Sequence, residues 1–124
     1  MREGDEYVVN GQKIWTSQAH WSDWIFCLVR TSSEGKKQQG ISFLLIDMKT
    51  PGITVRPIRN MSGSSIFAEV FFDDVRVPVE NRLGAEGEGW RVTVSALAHE
   101  RSGIAEVTSL QRNLEALRDL ARRC

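Results

Sequence analysis

The chain has 124 residues, one domain's worth, with 41% hydrophobic and 26% charged residues and a net charge of zero from 16 Lys+Arg against 16 Asp+Glu. That balance offers no basic face for nucleic acid or an anionic membrane, and no apolar run approaches the roughly 18 residues of a membrane span. The charged start, Met1-Arg2-Glu3-Gly4-Asp5-Glu6, is unlike a secretory leader, and two cysteines are too few for a disulfide framework or a metal site. A reduced, cytoplasmic setting without a metal is the expectation.

Residues 6–9 read as a strand leading into Asn10-Gly11, the strongest short-range hairpin dipeptide, so a turn is expected there with residues 12–17 returning. Residues 23–30 form an apolar strand pattern, expected to be largely buried on both faces, with Cys27 inside it as a small hydrophobe. A polar loop over 31–39, expected to be mobile, carries Ser32-Ser33, Gly35 and Lys36-Lys37. Strands are predicted at 41–47, 53–58 and 68–72, with a short one at 75–77 set off by Asp73-Asp74. Short strands between turns indicate an antiparallel sandwich or barrel.

After Pro78 the character changes. Asn81, Gly84 and Gly87-Glu88-Gly89 read as a flexible linker, lacking the Lys-Ser/Thr ending of a phosphate loop and the glycine spacing of a dinucleotide fold. From Trp90 onward Val94, Leu97, Arg101 and Ile104, then Val107, Leu110, Leu114, Leu117 and Leu120, recur at three- and four-residue steps. They make one apolar stripe on a helix of at least two segments, which Gly103 is placed to bend. No partner helix in the chain covers that stripe, and no strand precedes residue 6 to cover the first edge, so the chain is expected to be a piece of something larger.

Four ordered segments resemble the acyl-CoA dehydrogenases. They are Tyr7-Val8-Val9-Asn10-Gly11-Gln12-Lys13-Ile14-Trp15-Thr16-Ser17; Gly40-Ile41-Ser42-Phe43-Leu44-Leu45-Ile46-Asp47 with Pro51-Gly52-Ile53; Val70-Phe71-Phe72-Asp73-Asp74-Val75-Arg76-Val77-Pro78 with Asn81 and Leu83-Gly84; and Gly87-Glu88-Gly89-Trp90 leading to His99-Glu100-Arg101. The nearest look-alikes are large subunits of bacterial pimeloyl-CoA-type enzymes. The resemblance implies a mainly β fold: an incomplete antiparallel β-barrel, the family's middle domain, over 1–80. A linker at 81–89 and the truncated first helix of the C-terminal helical domain at 90–124 would follow. Absent are the N-terminal helices, the first barrel strands with the family's T-E-P-x-x-G-S-D segment, and everything after that helix.

The reaction so implied is α,β-dehydrogenation of an acyl-CoA thioester to a trans-2-enoyl-CoA, a base taking the α-proton while hydride leaves the β-carbon for N5 of FAD. Acyl-CoA is the expected substrate, electron transfer flavoprotein the expected acceptor, and a homo- or hetero-oligomer the expected assembly. Strand alternation puts Trp15 and Ser17 on one face with Thr16 opposite. On pattern alone a core Trp with a satisfied Ser beside it is the favoured reading; the resemblance reverses this and implies Trp15, Thr16 and Ser17 as flavin-binding. Trp21, Trp24 and Trp90 are expected to pack the barrel and the loop-to-helix junction, and His99 to play a minor role.

Glu100 and Arg101 lie on or beside the apolar stripe, where charged residues are uncommon unless paired or functional. An ion pair would satisfy the pattern. Some family members place the catalytic Glu late in the C-terminal domain; the isovaleryl- and long-chain-type members place it directly before an Arg on this first helix. The resemblance therefore implies Glu100 as base, raised in pKa by desolvation, and Arg101 as its companion. Two rivals remain: a non-catalytic truncated or paralogous subunit of the same fold, and a related flavin monooxygenase or nitroalkane oxidase.

Overall fold

The computed structural model describes residues 1–100 and 104–123, with the side chains of 99, 100, 104–106 and 123 not described. It divides into two units, 1–93 and 94–124. The first is built from β1 (Arg2–Glu3), β2 (Glu6–Ser17), β3 (Trp24–Arg30), β4 (Ile41–Asp47), β5 (Ile53–Ile58), β6 (Phe67–Pro78) and β7 (Arg82–Leu83). They form two antiparallel sheets, β1-β2-β6-β5 and β3-β4-β7. Both sheets are open, as an incomplete barrel requires.

Between the sheets lies one core. β2 supplies Tyr7 and Val9, β3 Cys27, β4 Leu44 and Ile46, and β6 Ala68, Val70, Phe72, Val75 and Val77, all buried. The central strand β6 shows how sequence meets packing. Its buried residues fall at even positions through Phe72 and at odd positions from Val75. Asp73-Asp74, expected to separate two strands, instead forms a bulge inside one: Val9 pairs with Val75 but Gly11 with Phe72, and Asp74 has φ 49°. One extra residue shifts the phase so that apolar side chains face inward on both sides of it.

The expected turn at Asn10-Gly11 does not form. β2 runs through both residues, paired with β6 along its length. A hairpin dipeptide specifies a turn only when the flanking segments find each other; here both find β6 first, and that long ladder overrides local preference. The edge at residue 6 is also partly covered, since β1 pairs Arg2 with Tyr7 and Glu3 with Glu6.

Strand β3 is buried on one face only. Cys27 is buried and Ile25 and Val29 half-buried, whereas Trp24 and Phe26 are 55% and 67% exposed. Trp21 is exposed as well, its ring 4.2 Å from His20, so neither Trp21 nor Trp24 packs the interior. The loop at 31–39 is tied down by Arg30, whose guanidinium donates to the carbonyls of Ser32, Lys37 and Gln39.

The stretch expected as a linker is docked on β4. Val79–Asn81 makes a 3-10 turn, β7 pairs Arg82 with Leu44 and Leu83 with Phe43, and the Gly87 N–H donates to the buried Ser42 Oγ at 2.9 Å. Helix α1 (Gly89–Glu100) starts hard against that strand: a Cβ on Gly89 would lie 2.6 Å from Phe43 N and Ser42 C. Only glycine permits this approach. Trp90, beside it, is 45% exposed.

Helix α2 (Ile104–Arg123) belongs to the second unit. Its stripe of Val107, Leu110, Leu114, Leu117 and Leu120 is 50–64% exposed throughout. Gly103 lies outside the described residues.

Candidate functional site

The second irregularity of β2 builds the candidate site. Lys13 pairs with Val70 and Thr16 with Ala68, so β2 carries one residue more than β6 across this step. Trp15 takes up the excess at φ 60°, a backbone region that bulky side chains avoid. Alternation therefore does not run unbroken from 13 to 17. Even so, Trp15 and Ser17 emerge exposed and Thr16 half-buried. Trp15 is 62% exposed and Ile14 52%, an apolar pair held away from the core. The indole is steadied edge-on by Phe67, with ring centroids 6.0 Å apart.

Opposite this ledge stands β3. Lys13 to Ser17 together with Ile25, Phe26 and Leu28 line an open hollow of about 430 Å³. Phe26 forms the second aromatic surface, stacked on Phe43 at 5.4 Å and 13°. Lys13 bridges the two strands by donating from Nζ to Leu28 O at 2.9 Å. A second hollow of about 240 Å³ lies further along the same strands, lined by residues 7–13 of β2, 27–30 of β3 and the following Thr31. Cys27 borders it; burial pushes the thiol pKa up, and the Lys13 ammonium pulls it partly back.

Phe26 escaped sequence reasoning because residues 23–30 are apolar at nearly every position. The usable signal was the order Trp24-Ile25-Phe26-Cys27, with aromatics on one parity and small or aliphatic residues on the other. The structure brings Trp15, Thr16 and Ser17 together at one hollow. The Glu100 side chain and all of Arg101 lie outside the described residues, so the structure assigns them no place at it.

One further polar group ties the ends of the β unit. Tyr7, 1% exposed, donates its hydroxyl to Glu86 Oε2 at 2.9 Å and accepts from Arg82 Nη1 at 2.6 Å. Arg82 also pairs with Glu86 at 3.3 Å. A buried hydroxyl with both a donor and an acceptor is fully satisfied, so it holds the 82–86 segment against β2.

Residues 1–75 match the family profile described as "Acyl-CoA dehydrogenase, middle domain". The chain belongs to the acyl-CoA dehydrogenase family. Among curated dehydrogenases of the family, "Acyl-CoA dehydrogenase IpdE1" of Mycobacterium tuberculosis is 44% identical over 98% of this chain and 32% of its own length. Among solved structures, the "ChsE4-ChsE5 complex" from Mycobacterium tuberculosis superposes with a TM-score of 0.71 at 42% identity, over 79% of this chain and 25% of that one. The "Tcur3481-Tcur3483 steroid ACAD" gives a TM-score of 0.77 at 36% identity, over 84% of this chain and 27% of that one. The chain thus spans about a third or less of the dehydrogenases it matches. Among the described residues no helix is long and apolar enough to cross a membrane, and no group of three or more His, Cys, Asp or Glu could hold a metal.

Proposed function

We propose that the protein containing this chain is an FAD-dependent acyl-CoA dehydrogenase that converts an acyl-CoA thioester to its trans-2-enoyl-CoA. Family membership supports the reaction class. The observation that carries the cofactor is Trp15: an indole more than half exposed, on a positive-φ bulge, beside a hollow with a second aromatic wall. Exposing a large aromatic in a strained backbone is costly unless something flat covers it. Trp15, Thr16 and Ser17 are the residues that would hold the isoalloxazine ring. When bound, FAD supplies the acceptor for the hydride leaving the substrate's β-carbon.

In this reading Trp15 excludes water from the ring and the Ser17 hydroxyl donates a hydrogen bond to it. Glu100 takes the α-proton of the thioester, and Arg101 orients the Glu100 carboxylate through its planar fork. Residues 1–80 are assigned to the middle domain and 90–124 to the C-terminal helical domain. The enzyme is placed in the cytoplasm, as a homo- or hetero-oligomer that hands electrons to electron transfer flavoprotein.

Glu100→Gln in the full-length enzyme tests this directly. The variant should keep its yellow colour and its acyl-CoA affinity, because the amide is nearly isosteric. The rate at which substrate bleaches the oxidised flavin band under anaerobic mixing should fall by about two to four orders of magnitude. Near wild-type bleaching would make Glu100 an ordinary ion-pair residue.

A further inference from the structure

The sequence signal that the fold leaves without a use is Asn10-Gly11. It is no turn, yet the pair has a second chemical property. Glycine carries no side chain to shield its amide nitrogen, so the asparagine Cγ before it is open to intramolecular attack. Asn10 and Gly11 are both exposed, and a Cβ on Gly11 would meet nothing within 4 Å. The space on the Cβ side of Gly11 is open, while its backbone is paired with Phe72 of β6.

What restrains the pair is the β6 bulge. Asn10 Nδ2 donates to Asp74 Oδ1 at 2.8 Å, and Asn10 Oδ1 accepts from the Asp74 backbone N–H, also at 2.8 Å. Asp74 at φ 49° turns its backbone and its carboxylate toward the same amide. Both polar atoms of the Asn10 side chain are thereby held across the ladder rather than toward Gly11.

We propose that Asn10-Gly11 is a latent modification site that deamidates through a succinimide whenever the Asp74 clamp opens. The Gly11 nitrogen bonds to Asn10 Cγ as its proton passes to water; the Cγ–Nδ2 bond breaks and the nitrogen leaves as ammonia. Water then opens the ring at either carbonyl, leaving aspartate or isoaspartate at position 10 with no change of oxidation state. The product sets a carboxylate against that of Asp74 where a donor stood, so the side-chain half of the clamp cannot re-form and like charges repel. Isoaspartate also lengthens the β2 backbone by one carbon, five residues before Trp15.

The test is intact-mass and peptide-map analysis of the full-length protein incubated at neutral pH, folded and in denaturing urea. Asp74→Gly accepts φ 49° without strain and removes the carboxylate acceptor; Asp74→Asn keeps an acceptor and tolerates the same backbone. Folded wild type and Asp74→Asn should deamidate slowly and the urea-unfolded protein fastest. Folded Asp74→Gly should exceed wild type by about five- to tenfold, the population change expected from one lost solvent-exposed hydrogen bond. Asp74→Gly deamidating at the wild-type rate while retaining its circular dichroism would overturn the proposal. So would equal rates in folded and unfolded wild type, a comparison that needs no variant.

Discussion

Strand β2 has two halves of opposite character. Along residues 6–9 it alternates, with Tyr7 and Val9 buried beside their partners Val77 and Val75 of β6. From 10 to 17 every residue except the half-buried Thr16 is exposed, Ile14 and Trp15 among them. Strand and partner are the same, so pairing alone cannot explain why Ile14 and Trp15 stay exposed. The bulges can. The one on β6 restores the inward phase of its apolar residues, whereas the one on β2 lifts an indole off the sheet. The first half of β2 buries its apolar side chains, and the second leaves Ile14 and Trp15 exposed.

Tyr7→Ala should break the stable half. It empties a fully buried site and removes the hydroxyl that links Arg82 and Glu86 to β2, so a loss of about 3–5 kcal/mol is expected in chemical denaturation. A loss below about 1 kcal/mol would mean that the two halves do not differ in the way their burial says.

Trp15→Gly should sharpen the contrast from the other side. Glycine relieves the positive φ while the edge contact with Phe67 is lost, so stability should stay within about 1 kcal/mol of wild type. FAD affinity of the full-length enzyme, followed by fluorescence quenching, should nevertheless weaken by about tenfold or more, since a stacked aromatic contact contributes about 0.5–1.5 kcal/mol and the ring also excludes water. Unchanged affinity with a large stability loss would make Trp15 a structural residue.

The smallest effect concerns Cys27, where the strands meet. Its folded pKa lies above the ordinary 9.0 chiefly because of burial, with Lys13 opposing. On unfolding the thiol titrates at its ordinary value, so above that pH the unfolded chain binds fewer protons and stability falls as pH rises. Between that value and the higher folded pKa the slope is at most about 1.4 kcal/mol per pH unit, and it flattens beyond. The stability difference between wild type and Cys27→Ala should show this decline and be constant below it. A difference independent of pH across the alkaline range would contradict the burial argument.

Much of the protein was legible without a structure. The strands at 41–47 and 53–58 and the helical stripe are written in local composition and period, because each depends on which neighbours in sequence are apolar. The ordered segments that resemble the acyl-CoA dehydrogenases singled out Trp15, Thr16 and Ser17; these three consecutive residues line one hollow, and their binding of flavin stands as a proposal. Tertiary structure decided the rest. Asn10-Gly11 lies straight because β6 offers a continuous partner on both sides of it. Trp24 and Phe26 face outward because the sheet of β1, β2, β6 and β5 covers only the Cys27 face of β3. Residues 84–89 dock because Ser42, a polar residue inside an apolar strand, needs partners that Thr31 and Gly87 supply. In each case the deciding contact comes from a segment distant in sequence. Periodicity can say that a side chain belongs on one face, but only the opposing strand determines whether that face is covered.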